Sequence, residues 1–418
     1  SPRMLDLARV LVLIGALGII AFGFLTGLTA LGAGLLSQGT DRLVLVTLAV
    51  SLLALCLGLG SVLARQAWQS KQRHASSDFR PRMIGFLVLL FLLAVALGQI
   101  MLSLDLLPAV TFPFFHVVAA ALPSLIILAL VGRALPGVTT WRDMLLQLSS
   151  GAFVATPLAF ALEAIVALGL LMATLVSLVL RPGGTELLQT MATYLQDPTW
   201  SQDQASLAPA LMSPPILAAI FFVVAGVVPL VEESVKTVGV GLMAYRQPTL
   251  SQAFLWGLAG GAGFALVEGL LNTASGIPIW APVTLLRVGT TLLHCFTGAL
   301  MGLAWYSVLA KRRWRYGLGL YAASIGAHSL WNALSLGMAL VSIGALEADA
   351  SGGSRPLSSF AIATALALLL VLVLATALGL VSLTLYVRKQ SPAPESTHLE
   401  HSPSNVDPLP ATGSESDP

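Results

Sequence analysis

The chain has 418 residues, of which 56% are hydrophobic and only 10% are charged, and its mean hydropathy is +0.88. Soluble domains carry about 25% charged residues, so this composition excludes a soluble globular protein and is typical of a membrane protein with many spans. The net charge of +2 provides no basic surface of the kind that nucleic acid requires, so no nucleic-acid partner is expected. Cys56 and Cys295 lie in separate apolar runs and indicate neither a metal-binding spacing nor a disulfide framework.

Apolar runs of about 20 residues or more predict an all-α protein with about ten transmembrane helices in a lipid bilayer. The predicted spans are 8–36, 43–64, 83–104, 109–132, 146–180, 214–245, 251–273, 282–310, 316–345 and 359–387. Lys and Arg are unevenly shared between the two sides: with the N-terminus in the cytoplasm, sixteen of the 21 fall inside and three outside. Cytoplasmic loops keep positive charge, so both termini are predicted to be cytoplasmic.

The spans divide the chain into four predicted regions. An N-terminal membrane region of five helices, 1–213, ends in a long, partly ordered outside loop, 181–213. A core of four helices follows at 214–345, and the tenth helix lies in 346–389. The last segment, 390–418, is rich in Pro, Ser, Thr and acidic residues and is predicted to be a disordered cytoplasmic tail.

Charge at membrane depth is concentrated in the four core helices. Ionisable groups in hydrocarbon are costly unless they pair or face a wet cavity, so each is a candidate for function. The candidates are Glu232, Glu233 and Lys236 on the sixth span, Glu268 on the seventh, Arg287 and His294 on the eighth, and His328 with Asn332 on the ninth.

Helical spacing places each of these sets on one face of its own helix. Glu232 and Lys236, for example, are four residues apart. Pro229 cannot donate to the carbonyl of Ala225, which predicts a kink just before the glutamate pair. At 1.5 Å per residue, all four sets converge between the midplane and the outer leaflet. The sequence therefore predicts one shared pocket.

Small residues on two of the core helices predict faces that another backbone can approach closely. Gly257 and Gly261 lie on one face of the seventh span, and Gly298 and Gly302 continue the face of the eighth. Such spacing lets two membrane helices bring their backbones together.

The polar residues form four motifs in a fixed order. Glu232-Glu233-Ser234-Val235-Lys236 fits E-E-x-x-K, Phe264 to Glu268 fits F-x-x-x-E, Arg287 to His294 fits R-x-x-x-x-x-x-H, and His328 to Asn332 fits H-x-x-x-N. In this order the motifs resemble the PrsW family of intramembrane proteases, relatives of the CAAX-prenyl proteases and of the Aph-1 subunit of gamma-secretase. The resemblance covers about 214–340 and gives no role to the first five helices or the tenth.

The resemblance implies hydrolysis of a peptide bond inside the membrane. The expected substrate is a single-pass membrane protein such as an anti-sigma factor, in a prokaryotic plasma membrane. Glu232 or Glu233 would act as the general base toward water, and the sequence leaves open which of them does so. Asn332 would donate to the oxyanion or orient His328.

The resemblance also implies a metal site. The CAAX relatives carry His where this chain has Glu268, so an extra carboxylate is available beside His294 and His328. Oxygen and imidazole ligands suit a divalent ion, with zinc as the expected identity. Lys236 and Arg287 would support the carboxylates or the substrate backbone. Activation of water by Glu and His without a metal stays open.

Two other classes of protein fit part of the pattern. A secondary transporter would also place carboxylates at the midplane, but no inverted repeat is evident. A non-catalytic scaffold resembling Aph-1 could keep the fold while its site decays, and it would tolerate loss of both Glu232 and Glu233. In this chain every motif position is occupied, which argues against a scaffold. His116 and Glu163 lie on earlier spans without a partner pattern and are placed outside the site. The oligomeric state is not predicted.

Overall fold

The computed structural model describes residues 2–180, 182–196, 214–350 and 356–391, and within them the regular elements are helices, with no strand. The α-helices are α1 (Pro2–Leu36), α2 (Gly39–Lys71), α3 (Ile84–Ser103), α4 (Pro108–Ala134), α5 (Trp141–Ser150), α6 (Thr156–Val179), α7 (Gly184–Gln196), α8 (Pro214–Phe221), α9 (Val228–Val235), α10 (Val238–Leu242), α11 (Leu250–Ser275), α12 (Trp280–Trp305), α13 (Trp314–Ala350) and α14 (Pro356–Gln390). π-helical turns occur at Gly151–Ala155, Phe222–Val227 and Tyr306–Ala310, and 3-10 turns at Ala244–Arg246 and Ile277–Ile279.

Within the described residues, nine helical segments are long and apolar enough to cross a membrane, which confirms the all-α membrane architecture. The predicted ninth span is the exception. It forms the continuous helix α13, but His328, Asn332 and several serines lower its mean hydropathy. The polar residues that mark this helix as functional are also those that make it less apolar than an ordinary span.

Part of the predicted regions falls where nothing is described. Helix α7 occupies the first part of the predicted outside loop, while 197–213 and the predicted tail beyond Ser391 lie outside the described residues. The division into four regions and the cytoplasmic placement of both termini stay predictions.

The predicted sixth span, 214–245, is interrupted twice. The π-helical turn Phe222–Val227 joins α8 to α9. A second interruption at Lys236 and Thr237 separates α9 from α10. The stretch that carries the glutamate pair is therefore a helix of only 8 residues between two irregular turns.

The π-helical turn and Pro229 together free one backbone carbonyl. Val228 donates its N–H to the carbonyl of Val223, five residues earlier. In that register Pro229 would be the donor to Val224, but proline has no N–H. The prediction of a freed carbonyl at Ala225 assumed ordinary α-helical bonding, and the π-helical register moves the gap to Val224.

Helix α11 is the centre of the molecule and is buried along most of its length. It packs against α12 along a long interface and also contacts α4, α5 and α14. On the α5 side, a methyl group at Gly263 would lie 1.9 Å from the carbonyl oxygen of Leu148. Only glycine permits that approach.

The predicted close packing of α11 and α12 is confirmed. A methyl group at Gly257 would lie 2.3 Å from the carbonyl oxygen of Gly298. One at Gly261 would lie 2.1 Å from the carbonyl oxygen of His294. The second contact sits at a candidate site residue, so the backbone spacing of the two helices also sets the position of that histidine.

His116 lies apart from the charged core and joins three helices. Its Nε2 is 3.1 Å from the carbonyl oxygen of Leu270 on α11, and its Nδ1 accepts a hydrogen bond of 3.2 Å from Nε1 of Trp280 on α12. Both ring nitrogens of His116 therefore make hydrogen bonds that link helices, which agrees with its placement outside the site.

Substitution of Gly261 tests the packing of α11 and α12. Gly261→Ala would insert a methyl group against the backbone of α12, and overpacking of this kind costs about 1–3 kcal/mol. We expect a lower melting temperature in detergent. Gly319→Ala on α13 is the matched control, because no atom lies within 4 Å of the added methyl group. Equal melting temperatures for the two variants would contradict the tight interface.

Candidate active site

The core helices bring five of the predicted polar side chains into one buried cluster. Glu232, Glu233, Lys236, His294 and His328 are each at most 4% exposed. They come from α9 and its C-terminal end, from α12 and from α13. The structure thus places side by side residues that are almost 100 positions apart in the chain.

Glu233 Oε1 is the point at which three helices meet. It accepts hydrogen bonds from Lys236 Nζ at 2.5 Å, His328 Nδ1 at 2.9 Å and Thr297 Oγ1 at 3.1 Å. Sequence reasoning missed Thr297, although its position three residues after His294 puts its hydroxyl on the same face of α12. Glu233 is therefore fully engaged through this oxygen.

Lys236 fixes the orientation of His294. Its Nζ lies 2.7 Å from His294 Nδ1. An ammonium group can only donate, so Nδ1 is the acceptor and the ring proton lies on Nε2. That Nε2 faces Glu268 Oε2 at 2.6 Å. The imidazole is held between a cation on one side and a carboxylate on the other.

His328 and Glu232 lie on the opposite side of the cluster. Because His328 Nδ1 donates to Glu233, the lone pair of the neutral ring lies on Nε2. This nitrogen is 3.7 Å from Glu232 Oε2. Glu232 Oε2 is also 4.0 Å from Lys236 Nζ and has no hydrogen-bond partner among the described residues. Both glutamates have an Oε2 without a hydrogen-bond partner among the described residues, but Glu233 is held by three hydrogen bonds on its Oε1, whereas the Glu232 side chain makes none.

Glu268 and Arg287 form a pair at the edge of the cluster. Arg287 Nη1 donates to Glu268 Oε1 at 3.1 Å, and its Nη2 lies 2.9 Å from Oε2. Asn272 donates to the same carboxylate from one turn further along α11. Arg287 and Asn272 therefore both hold the Glu268 carboxylate, which also faces His294.

Phe264 closes one side of the cluster. Its ring lies 5.0 Å from Lys236 Nζ and 5.5 Å from the His294 ring. An ammonium group beside an aromatic face is stabilised by the ring quadrupole. Phe264, the aromatic residue of the F-x-x-x-E motif, thus fills the space beside Lys236 and His294.

Asn332 contacts the freed carbonyl of the π-helical turn Phe222–Val227. Its Nδ2 donates to the carbonyl oxygen of Val224 at 2.9 Å. Tyr321 makes a second link from α13, because its hydroxyl lies 2.6 Å from Ser234 Oγ, next to the glutamate pair. Asn332 therefore supplies the hydrogen bond that Pro229 cannot, and it ties α13 to the segment that carries the glutamates.

Glu163 of α6 also turns toward this cluster. Ala159, one turn earlier, packs in a small buried group with Phe264, which orients this face of α6 toward α11. The charge of Glu163 interacts with those of Glu268 and Glu232. Its Oε1 is buried and has no hydrogen-bond partner among the described residues. The sequence analysis placed this residue outside the site, and the structure brings it within electrostatic reach.

The donor atoms of the cluster fit a divalent cation. A carboxylate oxygen of Glu232 and one ring nitrogen each from His294 and His328 lie within 4.8 Å of one another. Oxygen and imidazole nitrogen are the ligands that catalytic zinc sites use. Buried Oε2 atoms of Glu232 and Glu233 lack a hydrogen-bond partner among the described residues, which is costly unless a cation or water takes their lone pairs. This cluster could therefore hold a metal ion.

The carboxylate that lies close enough to the two histidines to share a metal ion with them differs from the predicted one. The sequence analysis combined Glu268 with the two histidines, whereas the group that could hold a metal contains Glu232. The reason is that Arg287 holds the Glu268 carboxylate at the edge of the cluster. The individual roles of these residues stay predictions.

Buried carboxylates and histidines within membrane helices can supply the base and the metal ligands that hydrolysis inside a membrane uses. Residues 139–375 match the family described as PrsW family intramembrane metalloprotease. The chain belongs to this family, and it is an integral membrane protein. No curated protein and no solved structure matches the chain.

The family match is wider than the resemblance at 214–340. It begins before α5 and ends within α14, so the fifth span and part of the tenth lie inside it. The expectation that these spans fall outside the family region was wrong, because only the four core helices carry motifs that are recognisable by residue type. Glu163 lies within the matched region.

A double-mutant cycle tests the link between Asn332 and the π-helical turn. Asn332→Leu leaves the Val224 carbonyl without a donor, and we expect it to cost about 1–2 kcal/mol. Pro229→Ala supplies a backbone N–H that can take the place of the side chain. The Asn332→Leu change should therefore destabilise the Pro229→Ala protein less than the natural sequence, as measured by melting in detergent. Purely additive effects would contradict this coupling.

Proposed function

We propose that the protein is an endopeptidase that cleaves a single-pass membrane protein within the membrane, with Glu232 as the general base. The observation that carries this proposal is the unengaged, buried Oε2 of Glu232 beside two oriented histidines. The expected substrate resembles an anti-sigma factor, and the expected location is a prokaryotic plasma membrane. This substrate class rests on the resemblance alone.

The two adjacent glutamates take different roles in this proposal. Glu233 has an unpartnered Oε2 as well, but its Oε1 accepts from three side chains and is ion-paired with Lys236 at 2.5 Å, which makes this carboxylate a weaker base. Glu232 Oε2 has a free lone pair for a proton. Glu233 is therefore the anchor that holds Lys236 and His328 in place, and Glu232 is the group that accepts a proton from water.

The protons of the reaction can be followed with these side chains. Glu232 takes one proton from water as the oxygen attacks the scissile carbonyl carbon. Lys236 uses two of its three N–H groups on Glu233 and His294, which leaves one for the oxyanion. When the C–N bond breaks, Glu232 returns its proton to the leaving amine.

The proposed ligand set for a divalent ion, with zinc as the first candidate, is Glu232, His294 and His328. In that form Glu232 would use one carboxylate oxygen as the ligand and keep the other for the proton. Such an ion would supply Lewis-acid polarisation of the scissile carbonyl and would acidify water. Glu233 supports this set by fixing the His328 tautomer, the arrangement commonly seen around metal-binding histidines. Glu268, backed by Arg287, would hold the Nε2 proton of His294, so an ion would take the Nδ1 lone pair in place of the Lys236 N–H.

Paired glutamine substitutions distinguish the base from the anchor. Glu232→Gln should lower cleavage by roughly 10²- to 10⁴-fold, because glutamine cannot accept the proton, while the melting temperature stays unchanged or rises. Glu233→Gln should lower the melting temperature, because removing one partner of a buried ion pair costs about 3–5 kcal/mol. The measurements are cleavage of a co-expressed single-pass substrate and melting in detergent.

The control for this pair is Glu186→Gln on α7, which removes an exposed carboxylate outside the cluster. It should change neither quantity. Full cleavage by the Glu232→Gln protein would rule out Glu232 as the base. If the melting temperature of that variant fell in step with its activity, the carboxylate would be a structural ion-pair partner instead.

Metal analysis tests the ligand set without relying on activity. Purified protein should contain about one divalent ion per chain, and His328→Ala should lose it. His74→Ala is the matched control, because this side chain is exposed and remote from the cluster. An active wild type without a stoichiometric ion would overturn the metal assignment and leave activation of water to the glutamate and histidine side chains.

A further inference from the structure

A second polar site lies at the ends of α3 and α4, away from the buried cluster. Arg80, Arg82 and Arg133 line a cleft of about 420 Å³, and the rest of its lining is Pro81, Met83 and Pro136. Arg80 pairs with Asp78 at 2.9 Å. The other two guanidinium groups form no ion pair with a described residue, so the cleft keeps a formal charge of +2.

The arginines are held on a fixed backbone. Phe79, which precedes Arg80, is buried, and its N–H donates to the carbonyl of Thr139 at 2.8 Å. Its ring fills the space above Gly132, where an added methyl group would lie 2.2 Å from a ring carbon. Gly132 immediately precedes Arg133. The same contact therefore sets the positions of the arginines on both sides of the cleft.

Met83, which lines the cleft, has an unusual backbone conformation. It is a non-glycine residue with φ of 65°, and 70% of it is exposed. Strained backbone persists only where the surroundings impose it, and it is frequent at ligand-binding positions. Met83 is also the N-cap of α3 and provides no side-chain hydrogen bond there. The first N–H groups of α3 are therefore left for another acceptor.

An apolar surface continues from the cleft along α3. Phe86, Leu89 and Leu93 are each about half exposed or more, and they follow Met83 at helical spacing. Because α3 is one of the segments apolar enough to cross the membrane, this face meets lipid chains. A positive cleft at the end of a lipid-facing helix has the layout of a phospholipid: a charged head beside hydrocarbon.

We propose that this arginine cleft binds the phosphate of an anionic phospholipid, whose acyl chains lie along the exposed face of α3. Guanidinium groups bind phosphate through paired hydrogen bonds, and basic pockets at the ends of membrane helices accept anionic lipid headgroups. The apolar face of α3 favours a lipid over a soluble phosphate.

The test compares lipid retention by variants with equal charge. The protein is placed in nanodiscs of phosphatidylcholine with a minor fraction of phosphatidylglycerol, and bound lipid is counted by native mass spectrometry. Arg82→Gln with Arg133→Gln should reduce phosphatidylglycerol retention about thirtyfold, as expected for two lost basic contacts. Arg312→Gln with Arg313→Gln removes the same charge from another exposed basic segment and should retain the lipid.

Two further arms complete the test. Arg82→Lys keeps the charge but loses the paired hydrogen bonds, so it should show an intermediate loss. Inorganic phosphate should not raise the melting temperature at concentrations where phosphatidylglycerol does. Equal retention by the two double variants would overturn the proposal, and so would stabilisation by inorganic phosphate equal to that by the lipid. Melting in pure phosphatidylcholine shows whether each variant is folded.

Discussion

The three hydrogen bonds to Glu233 Oε1 are the interaction on which the rest of the core depends. A carboxylate inside a membrane protein is tolerated only when charge and hydrogen-bond partners surround it. Here Lys236 supplies the charge from the end of α9, while Thr297 and His328 supply donors from α12 and α13. One oxygen atom thus joins three helices and fixes the tautomer of a histidine. None of these three donors hydrogen-bonds to the neighbouring Glu232.

This polar centre exists only because the helices around it approach closely. Lipid provides no hydrophobic drive between membrane helices, so backbone contact and dispersion must bring them together. The glycine face of α11 lets α12 approach until Gly261 meets the backbone of His294. A bulkier face would move that histidine away from Lys236 and open the cluster. The residues along this interface therefore both pack the two helices together and position the polar cluster.

Irregular helix geometry accounts for how the glutamates reach the centre. The pair sits on a helix of 8 residues, preceded by a π-helical turn and followed by an interruption. Such turns expose carbonyl groups that a regular helix would satisfy, and a membrane interior demands that each be paired. Asn332 pairs with the carbonyl of Val224. The same Asn332 hydrogen bond also holds α13 against the segment that bears the glutamates.

The sequence by itself determined the membrane class, the helices, the glycine contact and the residues that would meet, because hydropathy and helical spacing are local properties of the chain. Tertiary structure alone decided that Glu233 is held by three hydrogen bonds and the Glu232 side chain by none, since both are glutamates on the same helix. It also decided that Arg287 holds Glu268 aside and that Glu163 turns toward the cluster. These outcomes depend on where side chains of different helices point, and no spacing within one helix contains that information.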